Sequence, residues 1–473
     1  MSASSSVSSS PYHEKYHFKN QYEDYSEDKA KPYIDNNAVS TTNRITAKLA
    51  AKWGSMLDEL KDWTSTDYSV YTGTAGVGLL FFRKNPNDTR NLRNIRKQYL
   101  QLEQLKNKRV TFLCGDCGPL ALGAIVSYKL DDQKIYNFCI RKLTAFIKVV
   151  KNSSSDLPNE YLYGRAGFLY ALLFVNRHVS PAPFSDAAIT SVRVFPCPFH
   201  EFTCYCLQIV SAMLHSGEKL AKHLKIEKEC PLMFQWHDSQ YLGAAHGVSG
   251  IIYLLLQARK YLTEAELTNL IKPTISFLST LRFPTGNFPS SLGPGKQDKY
   301  VQWCHGAPGF LYMYCEAYRV NITSIYPPNL LCMYLQSPDY FILPSSNTDK
   351  KISWQSPVLT LQFQTFGDKH YIYAAEKCAD VIWFRGILKK GYSLCHGVAG
   401  NAYCFLEMFQ TTKDERHLYR AIKFAEYCLD YTKQREECTP DRPMSLYEGI
   451  SGPMYLLLDI QDPLNAKFPG FTL

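Results

Sequence analysis

The stretch KKGYSLCHGVAGNAYCFL, residues 389–406, carries the pattern that decides the fold. Its glycine pair, Gly397 and Gly400, opens a segment that is apolar on nearly every side. The same Gly-x-x-Gly arrangement recurs as Gly73–Gly76 in YTGTAGVGLLFF, Gly115–Gly118 in CGDCGPLALGAIV and Gly164–Gly167 in YGRAGFLYALLFV. It returns as Gly247–Gly250 in HGVSGIIYLLL, Gly306–Gly309 in CHGAPGFLYMY and Gly449–Gly452 in EGISGPMYLLL. Successive first glycines lie 42, 49, 83, 59, 91 and 52 residues apart. One such pair carries no information, whereas seven, each ahead of a helix-length apolar segment, define a repeat.

Glycine at a helix entry permits positive φ and lets neighbouring helix starts approach closely. Segments that are apolar all round predict helices buried on most faces. Amphipathic stretches between them, such as DERHLYRAIKFAEYCLDY at 414–431, predict an outer layer with one wet face. The fold expected is all-α: an α/α toroid, a double-layered barrel of seven inner and seven outer helices. A hairpin in such a ring cannot bury its apolar side alone, so the ring is one cooperative core. This reading replaces the roughly three domains that a length of 473 residues would otherwise suggest. Residues 1–40 read as a disordered polar tail that docks through Tyr22–Tyr25, and 41–473 as a single barrel. The two long intervals place irregular insertions near 180–206 and 321–355.

Composition narrows the function. Apolar residues make up 45% and charged residues 20%, a foldable balance. Of the net charge of +9, +7 falls between Arg83 and Arg109, which argues against a surface for wrapping nucleic acid. The part of it from Arg90 to Arg109 is expected to decorate an outer helix, with contact to acidic lipid or phosphoprotein as the second reading. No apolar run reaches the roughly 18–20 residues of a membrane-spanning helix. The N-terminus has no apolar core of a secretion signal, and Ser2 stands where myristoylation requires glycine. Fifteen cysteines, an odd number, read as reduced thiols of a cytoplasmic protein.

The toroid brings all inner helix starts to one end, with their N–H groups facing a common space. Two repeats carry Cys-His before the glycines: Cys304-His305 and Cys395-His396. These are four donors for the three positions of a catalytic zinc with one site open, and spacing alone does not choose between the histidines. The alternative is small buried residues lining a helix junction. His246 precedes Gly247 and is either a satisfied buried histidine or a general acid. Glu160 and Asp116 either hold a histidine or cap a helix, and Asp116 fits capping better. Cys114-x-x-Cys117 mimics a redox pair without the strand pattern of a thioredoxin. Lys389 and Lys390 are surface charges or contacts for an anion beside the metal.

At these residues the chain resembles the eukaryotic LanC-like proteins, relatives of bacterial lanthionine synthetase C. The matching strings are VTFLCGDCGPLAL, PNEYLYGRAGFLYALLFVN, GAAHGVSGI, DKYVQWCHGAPGF, CADVIW and LKKGYSLCHGVAGNAYCFL, then LYRAIKFAEYCLDY, SLYEGISGPMYLL and AKFPGF. They run from about Tyr68 to Leu473 in order, apart from the two insertions. The resemblance implies the seven-plus-seven barrel and one zinc held by Cys304, Cys395 and His396, with a water or substrate thiol as fourth ligand. His305 is then not a ligand. It implies an acid/base role for His246, a carboxylate role for Glu160 where cyclases carry aspartate, and glutathione binding with Lys390 as the natural contact. Tyr300 stands where cyclases have an arginine, and Cys117 where alanine is expected.

The activity implied is a zinc-dependent transfer of glutathione to dehydroalanine or dehydrobutyrine in proteins, the residues left when phosphoserine or phosphothreonine loses phosphate. Its partners would be glutathione and damaged phosphoproteins, in the cytoplasm or peripherally at the plasma membrane. The alternative is a non-catalytic zinc- and glutathione-binding signalling scaffold. A prenyltransferase would want an Asp-containing metal set. A glycosidase would want converging carboxylates, for which Glu160, Asp116 and Glu448 are available, but it would leave the cysteines without a purpose.

Overall fold

The computed structural model describes residues 15–28, 65–184, 204–323, 369–429 and 442–473, apart from positions 107 and 154, with a few more between 47 and 63 and at 440. Each glycine motif opens an inner helix, and each inner helix except the last is followed by an outer one. In chain order these are α1 (Thr74–Lys84), α2 (Thr89–Asn94, continued as a π turn Ile95–Leu100), α3 (Cys117–Lys129), α4 (Gln133–Val150), α5 (Arg165–His178) and α6 (Tyr205–His223). They continue as α7 (Val248–Gln257), α8 (Lys272–Thr280, entered through a π turn Leu267–Ile271), α9 (Ala307–Thr323) and α10 (Lys369–Arg385). The last three are α11 (Val398–Thr412), α12 (Glu415–Leu429) and α13 (Ser451–Asp459).

The odd-numbered helices are the inner layer. Each packs against the next, and α13 packs against α1, which closes the ring. Each even-numbered helix packs on the inner helix before it. The seventh outer helix would precede α1, where most residues fall outside the described ones. Among the described residues there are isolated β-bridges and no strands. The barrel reading therefore holds.

Inner and outer helices differ as their patterns require. In α3 every residue from Cys117 to Ser127 is buried, so no face is wet. In α4 the buried residues are Cys139, Leu143, Ile147 and Val150, one stripe at helical spacing, and Asp132 caps its start by accepting the Ile135 N–H. The basic stretch from Arg90 onward lies on α2 as expected, but it leaves the helix after Leu100, so Arg109 does not belong to it.

The glycines act through close approach rather than unusual φ. Of the first glycines only Gly306 has positive φ, at +100°. Gly73, Gly164, Gly247 and Gly397 are extended N-caps. The second glycines matter more. A Cβ on Gly118, Gly167, Gly250 or Gly400 would lie 2.0–2.1 Å from the carbonyl oxygen of the residue six positions earlier, Phe112, Tyr161, Ala244 or Leu394. The same Cβ would press on the preceding repeat: Val70 for Gly118, Thr111 for Gly167, Leu446 for Gly76 across the closure. Gly167→Ala is accordingly expected to cost about 2 kcal/mol or more through overpacking, read as a fall in the denaturation midpoint. Gly54→Ala, where a Cβ meets nothing within 4 Å, leaves the midpoint unchanged.

Two terminal segments complete the barrel. Of the stretch read as a disordered tail, 15–28 lies against α10, α12 and the loop between α10 and α11. The Phe18 N–H donates to the Ile387 carbonyl, Lys389 N–H to Tyr16, and Asp24 pairs with Arg420 at 2.6 Å. At the other end of the chain Phe468 and Phe471 are buried inside the ring. The Phe471 ring packs against Tyr161, Tyr253, Trp303 and Tyr312 from three different repeats and the loop before α9. The Tyr161 and Tyr447 hydroxyls donate to the Gly470 and Pro469 carbonyls. Residues 466–471, read from sequence only as a matching string, are thus the plug of the lumen. The segments 185–203 and 324–368, which hold most of both expected insertions, lie outside the described residues.

Candidate metal and thiol site

The site is built on the loops that enter the inner helices. The residues two before each first glycine are Tyr71, Leu113, Leu162, Ala245, Cys304, Cys395 and Tyr447. Backbone hydrogen bonds link them around the ring. Cys304 N–H donates to the Cys395 carbonyl at 3.4 Å, Cys395 to Tyr447 at 3.0 Å, Tyr447 to Tyr71 at 3.1 Å and Tyr71 to Leu113 at 2.9 Å. Two cysteines 91 positions apart are thereby neighbours. The residues one before each glycine are Thr72, Cys114, Tyr163, His246, His305, His396 and Glu448, and all seven are half-buried at the mouth. The thiols of Cys304 and Cys395 stand in the first circle and the three histidines in the second.

Cys304 and Cys395 meet side chain to side chain. The Cys395 thiol donates to Cys304, and the Gln302 amide donates to the same sulfur at 3.1 Å. With the Lys390 charge nearby, these bonds lower the Cys304 pKa, so it ionises first. Cys395 is pushed well up by its bond to Cys304 and by burial, and the Tyr71 hydroxyl donates to it. His396 follows Cys395 and its imidazole is lowered to about 4 by burial and by Lys390, which keeps it in the neutral, ligand form. His305 is likewise lowered to about 4, by burial, His246 and Lys390, and its Nδ1 is buried without a hydrogen-bond partner. The Lys390 ammonium lies 5.6 Å from the Tyr300 ring centroid. It acts on Cys304, His305 and His396 alike.

The described residues contain one set of three Cys, His, Asp or Glu side chains with ligand atoms within 4.8 Å of one another, and it is not this one. It is Glu376, Asp414 and His417 on the outer layer, where Arg416 bonds both carboxylates and supplies the counter-charge. At the thiol site the two sulfurs are together, while the His396 imidazole stands beside them rather than converged on them.

On the two entry loops that precede that of Cys304, Glu160 and His246 form a dyad. Glu160 Oε2 lies 2.7 Å from His246 Nδ1, and the carboxylate also accepts the N–H groups of Leu162 and Tyr163. Glu160 is 2% exposed and so holds the imidazole in one orientation with Nε2 left for chemistry. The ring stacks on Trp236, centroids 4.0 Å apart, and Tyr163 stacks on the same indole. Arg109 lies over the Tyr163 ring at 5.2 Å.

One expectation needs correction. Asp116 occupies the N-cap position of α3 but makes no capping hydrogen bond. Cys114 and Cys117, whose likeness to a redox pair the sequence already discounts, are free thiols pushed upward by burial, and Cys117 is packed in the core. Sequence reasoning missed Gln302, Tyr71, Trp236 and Arg109. Tyr71 was detectable as the first-repeat counterpart of the two cysteines. Trp236 and Arg109 follow no repeat signal.

The chain matches the family described as Lanthionine synthetase C-like protein over residues 64–332 and 355–473. It belongs to that family. It is 36% identical over 433 residues to Glutathione S-transferase LANCL1 of Danio rerio, covering 91% of each chain. It is 28% identical over 429 residues to LanC-like protein GCL1 of Arabidopsis thaliana, covering 86% of this chain and 82% of that protein. Nisin cyclase shares the fold, with a TM-score of 0.57 at 15% identity over 93% of this chain and 96% of its own. The family match passes through 180–206 and omits 333–354, inside the second expected insertion.

Proposed function

We propose that this protein is a zinc-dependent glutathione transferase that adds the glutathione thiol to dehydroalanine or dehydrobutyrine residues of proteins, in the cytoplasm. The observation that carries the reading is the contact of Cys304 with Cys395, next to the entry loop of an oriented carboxylate–imidazole dyad. The zebrafish relative's name supports glutathione as the thiol.

The donor set fits zinc. Two sulfurs already share one proton's place, and the adjoining imidazole is neutral. Cys304, Cys395 and His396 would hold the ion, a three-ligand set of the kind that catalytic zinc uses. Bound there, zinc supplies a thiolate at neutral pH from a thiol whose free pKa is about 8.5.

The chain's own residues do the rest. Lys390 binds a glutathione carboxylate and orients the tripeptide. The Gln302 amide steadies Cys304 as its proton leaves. Trp236 and Tyr163 form an aromatic wall beside His246, which limits water at the acid. As the sulfur bonds to the β-carbon, the alkene electron pair moves to the α-carbon. His246 Nε2–H delivers the proton that completes the addition of S–H across the double bond. Glu160 stabilises the imidazolium before that transfer.

The deciding experiment incubates the zinc-loaded protein with glutathione and a dehydroalanine peptide. The expected result is a peptide heavier by one glutathione, formed faster than in buffer, and an equal rate in buffer overturns the reading. Lys390→Met should raise the KM for glutathione about tenfold or more through the lost charge-assisted bond, with kcat less affected. The split is read from initial rates at varied glutathione.

A further inference from the structure

The end of the ring opposite the thiols carries a separate feature. The inner helices finish there, about 21 Å from their starts for the 14 residues of α5. Two adjoining cavities of about 400 and 320 Å³ open at this end and share Arg177, Lys467 and Thr472. The plug around Phe468 and Phe471 separates them from the thiol site.

The cations lining these cavities fall into two groups. Arg319 is bonded to Glu316 and Glu407, Arg83 to Asp459, and Lys129 to the Asn87 amide oxygen. Arg177, Lys413 and Lys467 have no side-chain hydrogen bond or ion pair among the described residues. They come from three elements: the last turn of α5, the C-cap of α11 and the plug. The neutral polar groups around them are already engaged. Gln410 bonds the Pro463 and Ala466 carbonyls, Gln257 the Phe471 carbonyl, and Thr472 the Tyr253 hydroxyl. Helix C-termini favour nearby cations, each by well under the amount needed to offset a half-buried ammonium such as Lys467. Arg177 and Lys413 are exposed and Lys467 is half-buried, and the two carboxylates on Arg319 offset one of these three charges, so the side chains of the cavity keep a surplus of two positive charges.

We propose that this chamber is an anion-binding site for a small phosphorylated ligand bearing two or more negative charges, of the pyrophosphate or phosphate-ester class. The 400 Å³ cavity lies in the range of small-molecule pockets. The site is independent of the thiol chemistry.

Calorimetric titration of the full zinc-loaded chain with inorganic pyrophosphate tests it. The wild type should bind one pyrophosphate, and the double variant Lys467→Met, Arg177→Gln should bind at least about tenfold more weakly. Lys413→Asn, which keeps the left-handed C-cap, should weaken binding on its own and guards against a misfolded double variant. Cys395→Ala and Lys390→Met should retain the affinity. Absence of binding at millimolar pyrophosphate, equal affinity in both the double variant and Lys413→Asn, or loss of binding in Cys395→Ala or Lys390→Met overturns the proposal.

Discussion

Cys395→Ala protein should purify without stoichiometric zinc and form no thioether above the rate in buffer. The cysteine sits at the centre of the site: its thiol bonds Cys304, its N–H bonds Tyr447, and its carbonyl receives the Cys304 N–H. Alanine keeps the backbone bonds and removes only the sulfur, so the ring should still close. Two protein ligands would be left where a catalytic zinc has three, and metal binding draws much of its free energy from each deprotonated thiol. Metal analysis of wild type and variant is the first measurement, and mass spectrometry of the peptide product the second. Cys404→Ala is the matched control. Cys404 is buried in α11 and pushed well up by its surroundings, so its loss should leave zinc and turnover intact. One zinc per chain retained in Cys395→Ala would remove the metal assignment altogether.

His246→Gln should slow the addition by about 10²- to 10⁴-fold, the range for losing a positioned general acid. Zinc content and glutathione affinity should change little, because His246 is not one of the proposed ligands of either and glutamine keeps the entry loop in place. Glu160→Gln should fall between wild type and His246→Gln. The amide can still meet Nδ1, but it cannot stabilise the imidazolium, and it disturbs the N–H bonds of Leu162 and Tyr163. Single-turnover rates at saturating glutathione separate this from binding. A wild-type rate in His246→Gln would leave the dyad a structural role and move the proton source elsewhere.

The ring was legible because its constraint is local and repeated. Each second glycine, Gly118 or Gly400 alike, leaves room for the carbonyl six residues earlier, so the motif recurs wherever an entry loop turns into an inner helix. The two cysteines of the thiol pair were legible for the same reason, since both stand two before a first glycine. The choice between His305 and His396 was not, because the two dipeptides are identical in sequence. Resemblance alone favoured His396, and burial leaves both imidazoles neutral. Glu160 was placed as a possible holder of a histidine, and its contact with His246 follows from adjacent entry loops. Trp236 escaped because it reaches the mouth from outside the repeat, and Arg109 because the residue type six before a first glycine differs in each repeat, being Asp67, Pro158 and Tyr241 in others. The lumen plug escaped because AKFPGF has no periodicity, and its place is set by tyrosines contributed from residues 161 to 447.

That plug has a cost during synthesis. The residues that fill the lumen are made after every inner helix that they support, and α1 cannot meet its partner α13 until all the repeats between them exist. Until then apolar inner helices have no complete interior in which to hide. A contact that closes over seven repeats predicts slow maturation and dependence on chaperones, more so than the short range of most helix-to-helix contacts would suggest.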